Sequence, residues 1–205
     1  RMATNTTTAS LVTRIHGKVT QIACGREHSA LLVERPDGST LVVVCGSNAF
    51  GQLGRDTPPG LTASRHPPTL WNLPMSKLAA LDDVLGLDEA PVKVQCGLDH
   101  TVVLTSKGRA FAMGWGADGQ LGAGLESTTT ACKQPVPVSG LDGVSLTDIS
   151  SSTDFTLALA ADNRLYYWGN AEYGQCMTGA KIDQILTPIQ VPFDFGRIAG
   201  IAAGG

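Results

Sequence analysis

A chain of 205 residues with 24 glycines, 5% aromatic residues and a formal net charge of −3 is long enough to bury a core in one or two domains. The slight acidity creates no broad basic field, so no direct nucleic-acid partner is expected. No run of 18 apolar residues occurs, so no transmembrane helix is expected either.

The first 26 residues hold Arg1, Arg14, Lys18 and Arg26, no acid, and abundant Thr and Ser. A mitochondrial transit peptide has a composition of this kind; a plain polar lead-in over 1–18 is the preferred reading and the expectation. From residue 19 the chain repeats. Ile22–Gly54, Val94–Gly122 and Ile149–Gln175 are three copies of one pattern, and a fourth begins at Ile201. A Gly-x4-Gly-Gln turn marks the register at Gly46, Gly51 and Gln52, at Gly114, Gly119 and Gln120, and at Gly169, Gly174 and Gln175. The equivalent positions Gly97, Ser152 and Gly204 lie 55 and 52 residues apart, whereas Gly25 to Gly97 spans 72, so the first unit carries an insertion. Periods of about 40–55 residues with strand-like runs are those of propeller blades. The runs HTVVLT, RAFAMGW and RLYYWG have strand composition, and Asp37-Gly38, Lys107-Gly108 and Asp162-Asn163 supply hairpin turns.

The expected fold class is therefore all-β, a β-propeller, with blades at 19–74, 91–145 and 146–196 and the start of another at 197–205. Three blades and an opening cannot close a ring, so a larger propeller is expected. Prolines break the repeat across 55–90. Within the insertion at 75–90, Ser76 is placed to cap a short helix carrying Leu78, Leu81 and Leu85 on one face. The Pro-bearing segments 134–138 and 186–192 read as edge strands, because proline removes a ladder donor.

The five cysteines, Cys24, Cys45, Cys96, Cys132 and Cys176, form no CxxC pair. They read as free structural thiols of a reducing compartment, Cys24 and Cys96 as small buried groups. No metal and no cofactor is expected. A phosphate loop needs Lys after its second glycine, and Gln stands there in all three copies. The glycines therefore read as structural turns. His28 and His100 become Phe155 in the third copy, so a structural histidine bonded to backbone is expected. Ser29 has no identifiable base, and no catalytic residue is expected. The residue before each of these is acidic every time: Glu27, Asp99 and Asp154. Repeat symmetry puts these three on one rim, where they either face a partner or cap tight turns through backbone N–H groups. Trp115 and Asp118, inside the second turn, either anchor a partner or pack on the adjacent blade.

Cys-Gly-x-x-His-[Ser/Thr], a hairpin, then Gly-x4-Gly-Gln-Leu-Gly resembles the regulator-of-chromosome-condensation repeat, over about residues 19–205 outside 55–90. The resemblance implies a seven-bladed propeller. In chromatin-bound members that exchange nucleotide on a small GTPase, acidic and histidine residues at this turn face the GTPase, which nominates Glu27, Asp99 and Asp154 as partner-facing. GWGADGQLG followed by WGNAEYGQ is most similar to the family's mitochondrial branch. That implies a mitochondrial setting, with protein partners among ribosome-associated or rRNA-maturation factors or a fusion GTPase. A non-catalytic scaffold is the expectation; the alternative is a guanine-nucleotide exchange factor for a small or dynamin-like GTPase.

Overall fold

The computed structural model describes Ile15 and residues 17–55, 71–73, 89–124 and 131–205; the helix expected around Ser76 and most of the lead-in lie outside them. The described residues contain strands and no helix. Three four-stranded antiparallel sheets follow one another, each with its strands in chain order. The first holds β1 (Lys18–Cys24), β2 (His28–Glu34), β3 (Thr40–Gly46) and β4 (Trp71–Leu73). The second holds β5 (Pro91–Cys96), β6 (His100–Thr105), β7 (Ala110–Trp115) and β8 (Ala131–Pro137). The third holds β9 (Leu146–Ser152), β10 (Phe155–Ala160), β11 (Leu165–Asn170) and β12 (Gln184–Gln190).

Side-chain alternation explains how the sheets stack. On β6, Val103 joins Val94 and Met113 in a core shared with Ala23, Ala30, Val42 and Val44 of the first sheet. Its neighbours Val102 and Leu104 point the other way, into a core shared with Ile149, Ala158 and Leu165 of the third. Successive strand residues face opposite sides, so the central strands β6 and β7 are buried on both faces and read as near-continuous apolar runs rather than alternating ones. The far face of the first sheet carries Val33, Leu41 and Val43, packed with Ile15 and Val19.

The hairpin turns at one end use left-handed backbone, with φ of 82° at Gly38, 73° at Gly108 and 70° at Asn163. The Pro-bearing segments are the outermost strands β8 and β12, with Pro135, Pro137 and Pro188 where no further strand needs a donor. All five cysteines are free thiols. Cys96 is buried, and that desolvation pushes its thiol up to about 12. Cys24, expected to be buried like it, is exposed. The reason is its neighbourhood: Cys96 joins the core between two sheets, whereas Cys24 pairs Ser29 on the opposite face of the first sheet from Ala23. No cluster of metal-ligating side chains occurs among the described residues. No described helix is long and apolar enough to cross a membrane.

Candidate partner-binding rim

At the end of each sheet opposite those hairpins, two connections meet. One joins the first strand to the second, and the other leaves the third strand through the Gly-x4-Gly-Gln turn. Their meeting is fixed by register, since His28, His100 and Phe155 pair with Gly46, Gly114 and Gly169. The carbonyls of Glu27, Asp99 and Asp154 accept the amides of Ser47, Trp115 and Asn170 at 2.7, 2.8 and 2.8 Å. Gly46, Gly114 and Gly169 hold φ of 104°, 107° and 108°, and a Cβ on any of them would sit 2.3 Å from the same carbonyl oxygen. Only glycine permits both the backbone state and the approach.

The second glycines, Gly51, Gly119 and Gly174, hold φ of 85°, 84° and 75°. Gly51 lies against Lys133 on β8, and Gly119 against Ile185 on β12. The first two turns thus rest on the outer strand of the next sheet, while nothing lies within 4 Å of a Cβ on Gly174. The glutamines lock the turns from within: Gln52, Gln120 and Gln175 accept the amides of Phe50, Asp118 and Tyr173 through Oε1, each at 2.9 Å. Gln120 also crosses to the next sheet, where its Nε2 donates to Asp154 Oδ1 at 3.1 Å. Gln175 Nε2 donates instead to Asn170 of its own turn at 3.1 Å.

The histidines bond hydroxyls of the neighbouring sheet, beyond the backbone bond that was expected, and the His100 backbone also lies within hydrogen-bonding reach of His28. His28 Nε2 donates to Thr101 Oγ1 at 2.9 Å, and His100 Nε2 to Ser151 Oγ at 2.8 Å. The donor direction follows because each hydroxyl hydrogen is used elsewhere, Thr101 donating to the Gln52 carbonyl and Ser151 to the Phe155 carbonyl. Both Nδ1 atoms are buried without a partner, covered by Gly25 and Gly97, where a Cβ would fall 2.4 and 2.5 Å from them. A proton on Nδ1 would be a buried unpaired charge. Burial accordingly lowers His28 to about 4 and His100 to about 3. The third sheet has Ser152 in place of that glycine and Phe155 in place of the histidine, with Phe155 stacked on Tyr167 at 5.3 Å. Glycine and histidine go together because the ring occupies the room a Cβ would need.

The three rim acids share a position but not an environment. Glu27 is exposed, and among the described residues no hydrogen bond or ion pair holds its carboxylate. Asp99 is mostly buried and paired with Arg26, one sheet away. Asp154 is half-buried and receives the Gln120 amide. The side-chain bonds of Asp99 and Asp154 go to the adjacent sheet rather than to turn amides. Desolvation raises the proton affinity of both, offset in part by Arg26 at Asp99 and by Gln120 at Asp154. The half-buried Trp115 meets Phe50 of the preceding sheet edge-on, ring centroids 4.9 Å apart. Asp118, also half-buried, lies close enough to Asp154 to raise its proton affinity further.

Arg26, Phe50, Thr101 and Ser151 were missed by sequence reasoning. For Thr101 and Ser151 the signal available was the joint presence of Gly and His in two copies and their joint loss in the third; for Arg26 and Phe50, whose contacts arise from stacking of sheets, there was none.

Two forms of a repeat model described as regulator of chromosome condensation (RCC1) match the chain, one at 107–159 and 162–205, the other at 19–52, 92–120 and 146–175. A mouse RCC1-like G exchanging factor-like protein is 35% identical over 190 residues, which is 92% of this chain and 37% of that protein. The crystal structure of human WBSCR16 superposes with a TM-score of 0.75 at 32% identity, covering 92% of this chain and 43% of that one. Prp20p of Saccharomyces cerevisiae, whose structure was described with its binding to Gsp1p and histones, superposes at 0.67 and 19% identity over 93% of this chain and 42% of that one, a likeness of fold. The chain thus spans well under half of these relatives. With its repeat register, its three radially stacked sheets and these matches, the chain belongs to the regulator of chromosome condensation (RCC1) repeat family.

Proposed function

We propose that this part of the propeller is a non-catalytic scaffold that binds a protein partner across the rim formed by Glu27, Asp99, Asp118 and Asp154. The supporting observation is that the carboxylates of Glu27, Asp99, Asp118 and Asp154 lie together on this rim, close enough that Asp99 and Asp154 feel the charges of their acidic neighbours as well as that of Arg26. Such a surface attracts a basic face and steers its approach. The Trp115–Phe50 pair supplies aromatic area of the kind that anchors interfaces. The mitochondrial setting and ribosome-associated partners implied by resemblance belong to the same proposal.

A second reading is exchange of guanine nucleotide on a GTPase, favoured by the name of the mouse relative. Exchange makes and breaks no covalent bond, so neither reading calls for a nucleophile on the rim. The two separate in one assay. Purified small and dynamin-like GTPases loaded with a fluorescent GDP analogue are mixed with the protein, and binding and GDP release are followed together. Scaffolding predicts binding with an unchanged release rate; acceleration that disappears in Glu27→Arg would establish exchange. No binding by any member of the panel would remove GTPases as the partner class.

A further inference from the structure

The two junctions between sheets hold equivalent carboxylates by different donors, and one junction keeps a donor unused. Gln120 Nε2 donates to Asp154 across the second junction. Gln52, its equivalent at the first junction, is fully buried with Nε2 lacking any partner, although its Oε1 accepts the Phe50 amide as Gln120 accepts that of Asp118. Asp99, the equivalent of Asp154, lies beside it. A Cβ on Gly114 would meet both the Asp99 carbonyl oxygen at 2.3 Å and Gln52 Cα at 3.1 Å. Asp99 is engaged instead by Arg26, whose position is Leu98 and Thr153 in the other two copies. The exposures are opposite: the Arg26 side chain is 55% exposed and that of Asp99 12%.

We propose that Arg26 is a releasable partner contact: it leaves Asp99 to take a carboxylate from a basic protein surface, and Gln52 Nε2 then takes its place on Asp99. An unmade hydrogen bond on a buried donor is expensive, so a bond waiting for Gln52 offsets what Arg26 gives up. Removing Arg26 from a buried carboxylate would otherwise leave an uncompensated charge. The incoming group is a carboxylate because Arg presents donors matched to it. A phosphate dianion would meet stronger repulsion from Glu27, Asp118 and Asp154. Basic neighbours around that carboxylate suit the same three acids.

This rests on the rim being the partner face, but its test does not need the partner. The probes are the capped tripeptide Lys-Glu-Lys, its Lys-Gln-Lys control and inorganic phosphate at equal ionic strength. The readout is the side-chain amide resonance of Gln52, assigned by its loss in Gln52→Leu. Lys-Glu-Lys is expected to shift this amide downfield, toward its position in Arg26→Leu, and to have no such effect on the Arg26→Leu protein itself. An unmoved amide, an equal response to Lys-Gln-Lys, or a larger response to phosphate overturns the proposal. A thermal double-mutant cycle provides a second check, since loss of the Phe50 contact is common to both Gln52→Leu backgrounds and cancels. Arg26→Leu should lower Tm at least twice as far with Leu at 52 as with Gln; equal losses overturn the substitution of one donor for the other. If both fail while Glu27→Arg still abolishes partner binding, the rim reading stands and the release mechanism falls.

Discussion

Where the first two sheets meet, a guanidinium holds the rim acid Asp99; where the second meets the third, an uncharged amide holds Asp154. Each histidine bonds a hydroxyl of the next sheet, yet His28 finds Thr101 on a second strand and His100 finds Ser151 on a first. Cys96 stands where Ser151 does, and its thiol is a poor acceptor. The repeat therefore dictates where a group sits, and the residue facing it across the junction dictates how it is held. Equivalent positions are interchangeable in backbone and not in chemistry.

The turn glycines allow that contrast to be broken most severely. Gly119→Val suffers both a positive φ and a Cβ 2.5 Å from the Ile185 carbonyl oxygen. The strained backbone costs about 1–3 kcal/mol and the overpacking another 1–3 or so. Gly174→Val shares the φ problem, but nothing lies within 4 Å of its Cβ, so about 1–3 kcal/mol is expected. Denaturant unfolding of the two variants measures the difference, and equal losses would mean that packing between sheets contributes nothing there.

A smaller effect tests the glycine–histidine pairing. Gly97→Ser places a Cβ 2.0 Å from the His100 ring and should cost about 1–3 kcal/mol, as overpacking does. Adding His100→Phe recreates the third copy and should recover part of that loss. A double variant no more stable than Gly97→Ser would show that the two positions are uncoupled.

The gentlest probe is pH. His28 and His100 stay neutral in the fold until about 4 and 3, whereas an unfolded histidine protonates near about 6.5. Below that pH the unfolded chain binds more protons, so stability falls on acidification from about 6.5 toward 4. The raised proton affinities of Asp99 and Asp154 act in the opposite sense: near and below their folded pKa, the fold holds protons that the unfolded chain has lost. Unfolding free energies at pH 7.5, 6 and 5 should therefore decline, and replacing both histidines by Gln should flatten that decline. A slope unchanged by the replacement would place the titrating groups elsewhere.

Much of this was legible in the sequence, for a physical reason: what recurs can be aligned. Gly46, Gly114 and Gly169 share φ within a few degrees, so their recurrence signalled a single backbone requirement. Pro135 and Pro188 marked outer strands because proline has no hydrogen to donate. The acids could be placed on one rim for the same reason. What could not be read was their engagement. Arg26 and Asp99 are 73 residues apart, and that contact follows from stacking sheets, not from any local pattern. The sequence alone allows Trp115 either role, and the Phe50 contact packs it on the neighbouring sheet while it stays half-exposed.

The central claim is that this rim carries a protein partner. Its most direct test compares tagged wild-type protein with Glu27→Arg in quantitative pull-downs from mitochondrial extract. Glu27 is exposed and its carboxylate has no hydrogen bond or ion pair among the described residues, so the variant should melt with the wild type, as exposed charges contribute little to stability. The account predicts one or a few proteins enriched on wild type and reduced about tenfold or more on the variant, as expected when a like charge is set against a complementary face. The difference should shrink with added salt, since the Debye length is about 8 Å at physiological ionic strength. Identical capture by two equally stable proteins would contradict it.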